Sequence, residues 1–199
     1  MMPPFSVLHV CMGNICRSPM AERLTMMAAR ERVGDKVDEL IYVSSGGTGG
    51  WHAGEEMNPP AAREVRRRGG HDVGFAARKL LGEHLDTADL VLASTAEQVD
   101  YILGLRADSA GRTFVLGEFG RLLGKIDQGT LPPYAPEPDP VYARGVALVE
   151  AVDRVRGGQP PEAEDDLDDP WGRGDAFFSR VADEIDATVR PLVAALLAG

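Results

Sequence analysis

The sequence predicts an α/β fold with a four-stranded parallel sheet and helices on both faces. Three observations carry this expectation. Short apolar runs recur at Phe5–Val10, Leu40–Val43, Asp89–Ala93 and Thr113–Leu116. Segments with helical signals separate them, and glycine-rich turns punctuate the joins. Strands that alternate with helices build parallel sheets whose two faces are both covered. With 199 residues, 44% of them apolar and 26% charged, the chain has enough material for one domain with its own core. There is no internal repeat, so the expected organisation is a single domain over residues 1–199.

The first strand, Phe5-Ser6-Val7-Leu8-His9-Val10, is a short apolar run bounded by a Gly-containing loop and reads as a buried strand. A helix should follow, with Ser18 as its N-cap and Pro19 in its first position, because Ser accepts a free amide and Pro has none to leave unbonded. Met20, Leu24, Met27 and Ala28 give it an apolar side, and Gly34 ends it. The second strand leads into the loop Gly46-Gly47-Thr48-Gly49-Gly50. Residues 59–68 read as a helix that stops at Gly69-Gly70, and Ala96–Leu103 as another.

Residues 124–166 break this rhythm and read as a Pro-rich, partly helical insert. Pro132, Pro133, Pro136, Pro138 and Pro140 punctuate its first half. A helix is expected over Val141–Val155, ended by Gly157-Gly158. The acidic residues Glu162, Glu164, Asp165, Asp166 and Asp168 read as a solvated loop. The chain closes on an amphipathic helix carrying Phe178, Val181, Ile185, Val189, Leu192 and Leu196, in which Pro191 should make a kink.

Composition excludes several classes of function. The formal net charge of -10 argues against a nucleic-acid partner, since phosphate backbones are bound through basic surface. No apolar run suits a membrane span, and the first residues carry no signal-peptide pattern, so a cytoplasmic location is expected. Two cysteines do not make a disulfide framework. The four histidines, His9, His52, His71 and His84, are scattered and form no ligand pair, so neither a metal nor another cofactor is expected.

The one concentrated chemical signal is Cys11-Met12-Gly13-Asn14-Ile15-Cys16-Arg17-Ser18, set between a strand and a capped helix. A turn of this length can aim successive backbone N–H groups inward and so form a nest for phosphate oxygens. The helix that follows adds its positive end, and Arg17 a planar fork for two oxygens. The same field favours a thiolate at Cys11. Gly13 and Asn14 are residue types that tolerate left-handed backbone. Ser18 can donate a hydrogen bond to the sulfur. Met12 to Ser18 are therefore expected to bind phosphate, with Cys11 as the nucleophile beneath it.

The stretch Val10–Glu22 closely resembles the low-molecular-weight protein-tyrosine phosphatase family. The resemblance continues in Ser44-Ser45-Gly46-Gly47-Thr48, in Trp51-His52-Ala53-Gly54 and in Asp169-Pro170-Trp171-Gly172. It covers the chain to about Leu123 and again from about Asp168, leaving the 124–166 insert outside. It implies a flavodoxin-like sheet and a cysteine-dependent hydrolase of phosphotyrosine in protein substrates. The catalytic residues it implies are Cys11, Arg17 and Asp169, the last as general acid. It also implies Asn14, Ser18 and Ser45 as the network supporting the loop, and Trp51 and Trp171 as walls for the substrate ring. The sequence departs from the family in three places. Phe75 stands where a His often supports the loop's Asn. Ser94-Thr95 replaces a Met-Asp pair. Gly172 replaces a second aromatic, a gap the insert is expected to fill.

Other readings share this loop. A phosphoarginine phosphatase resembles it but carries Thr at the place of Ile15, whose apolar side chain favours an aryl ester. A phosphoprotein-binding relative would keep the fold without turnover. An arsenate reductase would need further cysteines, and none follows Cys16.

Overall fold

The computed structural model describes residues 1–198 as a four-stranded parallel sheet in the order β2-β1-β3-β4. The strands are β1 (Phe5–Cys11), β2 (Ile41–Gly47), β3 (Leu90–Ala93) and β4 (Thr113–Val115). β1 lies in the middle. It pairs with β2 from Phe5↔Ile41 to Cys11↔Gly47 and with β3 from Val7↔Leu90 to Val10↔Ala93. The chain order reverses on either side of β1, and in open parallel sheets ligands bind beyond the carboxyl end of the strands at such a switch point. Cys11 is the last residue of that strand.

The helices are α1 (Arg17–Val33), α2 (Val37–Leu40), α3 (Pro59–Arg67), α4 (Gly82–Asp86), α5 (Ala96–Leu105), α6 (Leu116–Leu123), α7 (Pro138–Arg156) and α8 (Asp175–Leu196). Alternation along β1 sends Phe5 and Val7 into a large core shared with α1, α3, α6, α7 and α8. Leu8 and Val10 point the other way, into a smaller core with Leu85 of α4 and Ile102 of α5. Each large side chain buried this way contributes about 1.5–3 kcal/mol. Both faces of the sheet are thus covered, as the strand–helix alternation predicts. Among the described residues no helix is long and apolar enough to cross a membrane.

Several boundaries differ from expectation for identifiable reasons. α1 begins at Arg17, with Cys16 in the capping position. Ser18 is therefore inside the first turn, and its hydroxyl goes to Cys11 Sγ instead of capping. Pro19, two residues into the helix, still falls within the first turn, where amides have no intrahelical partner. β2 extends to Gly47, because the start of the glycine-rich loop continues the ladder alongside β1.

Sequence reasoning missed α6, whose Gly117 and Gly120 look like helix breakers. They are there for close approach. A Cβ on Gly117 would meet Asp165 O at 2.5 Å, and one on Gly120 would collide with Thr188 of α8. α7 starts three residues early, at Pro138, since proline suits a helical first turn. It buries Val141, Leu148, Val149 and Val152 in the main core, and Gly145 sits directly against the Phe5 ring. α8 continues through Pro191 to Leu196.

Candidate active site

β1 delivers Cys11 to the end of the sheet, and residues 12–16 curl over it before α1 begins. Asn14 supplies the left-handed step of the curl, with φ 56°. Three loop carbonyls face outward. Cys11 O accepts from Thr48 N, Met12 O from Gly49 N, and Ile15 O from Asn58 N, each at 2.9 Å. A trans peptide points its N–H opposite to its C=O, so the amides of Met12, Gly13 and Cys16 turn toward the inside of the cup. Gly47 makes this contact possible, because a Cβ there would lie 2.8 Å from Met12 O.

A chain of hydrogen bonds fixes the thiol. Asn14 Oδ1 accepts the Arg78 backbone N–H at 2.9 Å, which sets the orientation of the amide. Its Nδ2 then donates to Ser18 Oγ and to Ser45 Oγ, both at 2.9 Å. Ser45 donates its own hydroxyl hydrogen bond to the Glu22 carboxylate. Ser18, already accepting from Asn14, has its hydrogen free for Cys11 Sγ at 2.8 Å. The Asn14 N–H approaches the same sulfur at 3.3 Å. Two donors therefore converge on Cys11, which is only 2% exposed.

Phe75 does not leave Asn14 short of partners. The Arg78 amide occupies the acceptor, while Phe75 is buried in the main core. Burial holds the Glu22 carboxyl above the usual range, and the Ser45 bond opposes that shift. Burial likewise pushes the Cys16 thiol up to about 12, helped by nearby Cys11.

Arg17 is buried at the start of α1. Its Nη1 donates to Leu167 O at 2.9 Å, and its Nη2 lies 3.8 Å from Asp169 Oδ2. The turn Asp169-Pro170-Trp171-Gly172 thus comes within reach of Arg17. The Trp171 amide donates to Asp169 Oδ1 at 3.1 Å, and Arg173 N closes the turn on Pro170 O at 2.9 Å. Gly172 has φ 72°, so this position suits glycine better than a second aromatic.

These groups line one cavity of about 190 Å³. Cys11, Met12, Gly13, Ile15, Cys16 and Arg17 form its floor, and Trp51, His52, Asp169 and Trp171 its walls. Trp51 is 70% and Trp171 55% exposed, so neither is spent on the core. No residue of the 124–166 segment lines the cavity, contrary to the expectation that it would extend the wall. His52 does so instead, with its ring 5.7 Å from that of Trp171 and its Nδ1 bonded to Glu55 at 2.8 Å.

Sequence reasoning overlooked four contributors: His52, Glu22, the Arg78 amide and the Leu167 carbonyl. His52 and Glu22 were legible in principle, since both fall inside the motifs quoted above. The two backbone groups carry no side-chain signature. The acidic run stays mostly exposed, as expected, with Asp165 alone buried, but it is tied to the fold by specific partners. Asp165 binds Arg121, Asp166 the Ala96 amide and Asp168 Arg180. Asp139, the other Asp-Pro aspartate, accepts from Met2 N at 2.5 Å. That places it at the opposite end of β1, roughly 20 Å from Cys11.

Residues 6–156 match the family described as low molecular weight phosphotyrosine protein phosphatase. The chain belongs to this family. The match runs through α7, beyond the limit of residue 123 that the motifs suggested. Its relatives include the low molecular weight protein-tyrosine-phosphatase YfkJ of Bacillus subtilis, 38% identical over 141 residues, which cover 69% of this chain and 81% of that protein. A low molecular weight protein-tyrosine-phosphatase of Streptomyces coelicolor is 33% identical over 152 residues, covering 76% and 87%. In fold, the chain matches the YwlE arginine phosphatase from Geobacillus stearothermophilus with a TM-score of 0.65 at 22% identity, over 98% of this chain and 94% of that one.

Proposed function

We propose that this phosphatase hydrolyses phosphotyrosine in protein substrates, and other aryl phosphate monoesters, through a phosphocysteine intermediate. The observation that carries the reading is the sulfur of Cys11 under two hydrogen-bond donors at the floor of an aromatic-walled pocket, with Arg17 and Asp169 beside it. The ring of the substrate lies between Trp51 and Trp171. The thiolate attacks phosphorus in line with the phenolic oxygen. Arg17 and the inward amides stabilise the equatorial oxygens as charge spreads over them. Asp169 gives its proton to the departing phenolate as the P–O bond breaks. It then takes a proton from the water that attacks phosphocysteine, releasing inorganic phosphate and restoring the thiolate.

Ile15, apolar and at the cavity floor, supports an aryl ester over a guanidinium phosphate, for which it offers no polar partner. The nucleophile and the charge both come from the chain, so the scheme runs without a metal or other cofactor. A thiol nucleophile works only while reduced, which supports a cytoplasmic setting, with residues 1–199 acting as one catalytic domain.

The test uses leaving groups. Asp169→Asn should lower kcat/KM about 100-fold or more for phosphotyrosine peptide and phenyl phosphate, and much less for 4-nitrophenyl phosphate, whose phenolate leaves without help. Asp139→Asn should do neither. A loss confined to Asp139→Asn would move the acid to α7, and faster turnover of phosphoarginine peptide than of phosphotyrosine peptide would change the substrate class.

A further inference from the structure

Three carboxylates just before Asp169 hold partners on three different helices. Asp165 takes Arg121 of α6 through both oxygens, at 3.0 and 2.7 Å. Asp166 Oδ1 accepts the backbone N–H of Ala96, the first residue of α5, at 2.8 Å. Asp168 takes Arg180 of α8 at 2.9 Å. The ion pair of Asp168 joins two flexible, half-exposed side chains, so it restrains little. Asp166 is exposed too, but its partner is a backbone amide fixed at the start of a helix. Asp165 fastens the segment to α6 four residues ahead of the acid. Asp166 grips next to the turn itself.

Its neighbour Leu167 completes that grip. Leu167 N–H donates to Ser94 O at 2.8 Å, and Ser94 N–H donates to Val10 O at 2.9 Å. Leu167 O in turn accepts from Arg17 at 2.9 Å. Val10 is the residue before the nucleophile. The acid turn is therefore registered to the nucleophile strand through Ser94, and Asp166 and Leu167 clasp the β3–α5 junction at two points. The free amides and positive end of α5 favour a carboxylate there. Thr95, the other residue of the junction, turns its amide to Gln98 Oε1 at 3.0 Å.

We propose that Asp166 is a positioning residue, which pins the acid turn to the first amide of α5 and so holds Asp169 at the height where it meets the leaving oxygen. This rests on the reading of Asp169 as general acid. Asp166 itself touches neither the substrate pocket nor Cys11.

Two variants break the same bond from opposite sides. Asp166→Ala removes the acceptor. Ala96→Pro removes the donor and leaves the helix intact, since proline suits a first helical position and Thr95 already has extended backbone with φ -142° and ψ 161°. Each should lower kcat/KM about 10-fold for phenyl phosphate and less than about 2-fold for 4-nitrophenyl phosphate. The double variant should be no worse than either single one, because both remove one interaction. Gln98→Ala is the control. It removes the neighbouring bond at the same helix end without touching the acid turn, and should leave the leaving-group dependence unchanged.

Equal losses on both substrates, or an equal leaving-group effect in Gln98→Ala, would make the bond structural and overturn the proposal. Full additivity in the double variant would overturn it too. The underlying reading fails separately: if Asp169→Asn shows no leaving-group dependence, Asp169 is not the acid and the positioning role falls with it. A strong effect in Asp169→Asn with none in Asp166→Ala or Ala96→Pro overturns the positioning role alone.

Discussion

Asn14 and Ser18 are joined by a 2.9 Å hydrogen bond in which the Asn14 amide is the donor. The direction matters more than the distance. The Arg78 amide occupies Asn14 Oδ1, so Nδ2 must face the two serines. Ser18 then accepts from Asn14 and has only Cys11 Sγ left to receive its proton. The sulfur gains a committed donor, positioned before any substrate arrives.

Ser18→Ala should therefore weaken the nucleophile without disturbing the pocket walls. A hydrogen bond to a charged group contributes about 1.5–3 kcal/mol, which converts to a loss of roughly 10- to 100-fold in kcat/KM. The same variant should slow alkylation of Cys11 by iodoacetamide at neutral pH. Unchanged alkylation with unchanged turnover would mean that Ser18 donates elsewhere.

The two cysteines should behave oppositely toward alkylating agents. Burial keeps the Cys16 thiol protonated up to about 12, and the thiolate is the reactive form. Iodoacetamide near neutrality should add one group per chain, on Cys11, and inorganic phosphate in the cup should slow that reaction. Peptide mapping by mass spectrometry checks both points. Modification of Cys16 at a comparable rate would contradict them.

His9 should make the fold acid-sensitive. Thr25 Oγ1 donates to Ala21 O at 2.7 Å, so it accepts from His9 Nε2 at 3.0 Å, and the buried ring is neutral. Burial lowers its pKa from 6.5 to about 3. Above pH 6.5 native and unfolded chains are both neutral at this site. Between pH 6.5 and about 3 only the unfolded chain takes the proton, so stability falls as pH drops, by about 1.4 kcal/mol per pH unit. The raised carboxyls of Glu22 and Glu118 act in the opposite sense, but they are common to wild type and variant. The stability difference between wild type and His9→Gln, from urea denaturation, should therefore shift in the variant's favour as pH falls from 7 to 4. A difference that does not change with pH would refute this.

Gly49 should prove to be a binding residue in disguise. A Cβ there would fall inside the Trp51 ring, which lies against the glycine. Because Trp51 is mostly exposed, it can swing away at little cost to the fold. Gly49→Ala should raise KM for aryl phosphates several-fold, as Trp51→Ala also should, with kcat and thermal midpoint nearly unchanged. Normal KM in Gly49→Ala together with a raised KM in Trp51→Ala would show that the ring finds a second productive position.

Much of this molecule was legible in the sequence because the signals are local. Phe5–Val10 is a short apolar run next to a Gly-containing loop, which reads as a covered strand, and the spacing from Cys11 to Arg17 suits a turn with its amides available to an anion. Strand–helix alternation determined the fold class for the same reason. The Asp-Pro-Trp-Gly turn was visible through the family resemblance, and its residues suit a turn, since Pro170 has a fixed φ and Gly172 tolerates the left-handed φ of 72° it adopts.

What tertiary structure decided is everything that depends on which distant groups meet. The sequence does not say that Ser18 serves the sulfur instead of its helix, because that choice needs the Asn14 amide to be fixed from Arg78, 64 positions away. Gly117 and Gly120 carry no helical signal of their own, and their role shows only once Asp165 and Thr188 are packed against them. The acidic run looked solvated because charge alone predicts water, and only the fold supplies Arg121, Arg180 and the first amide of α5 as partners. Backbone preferences and apolar periodicity act over a few residues and can be read along the chain. Hydrogen-bond direction and close packing are settled between segments, so they exist only once the segments have met.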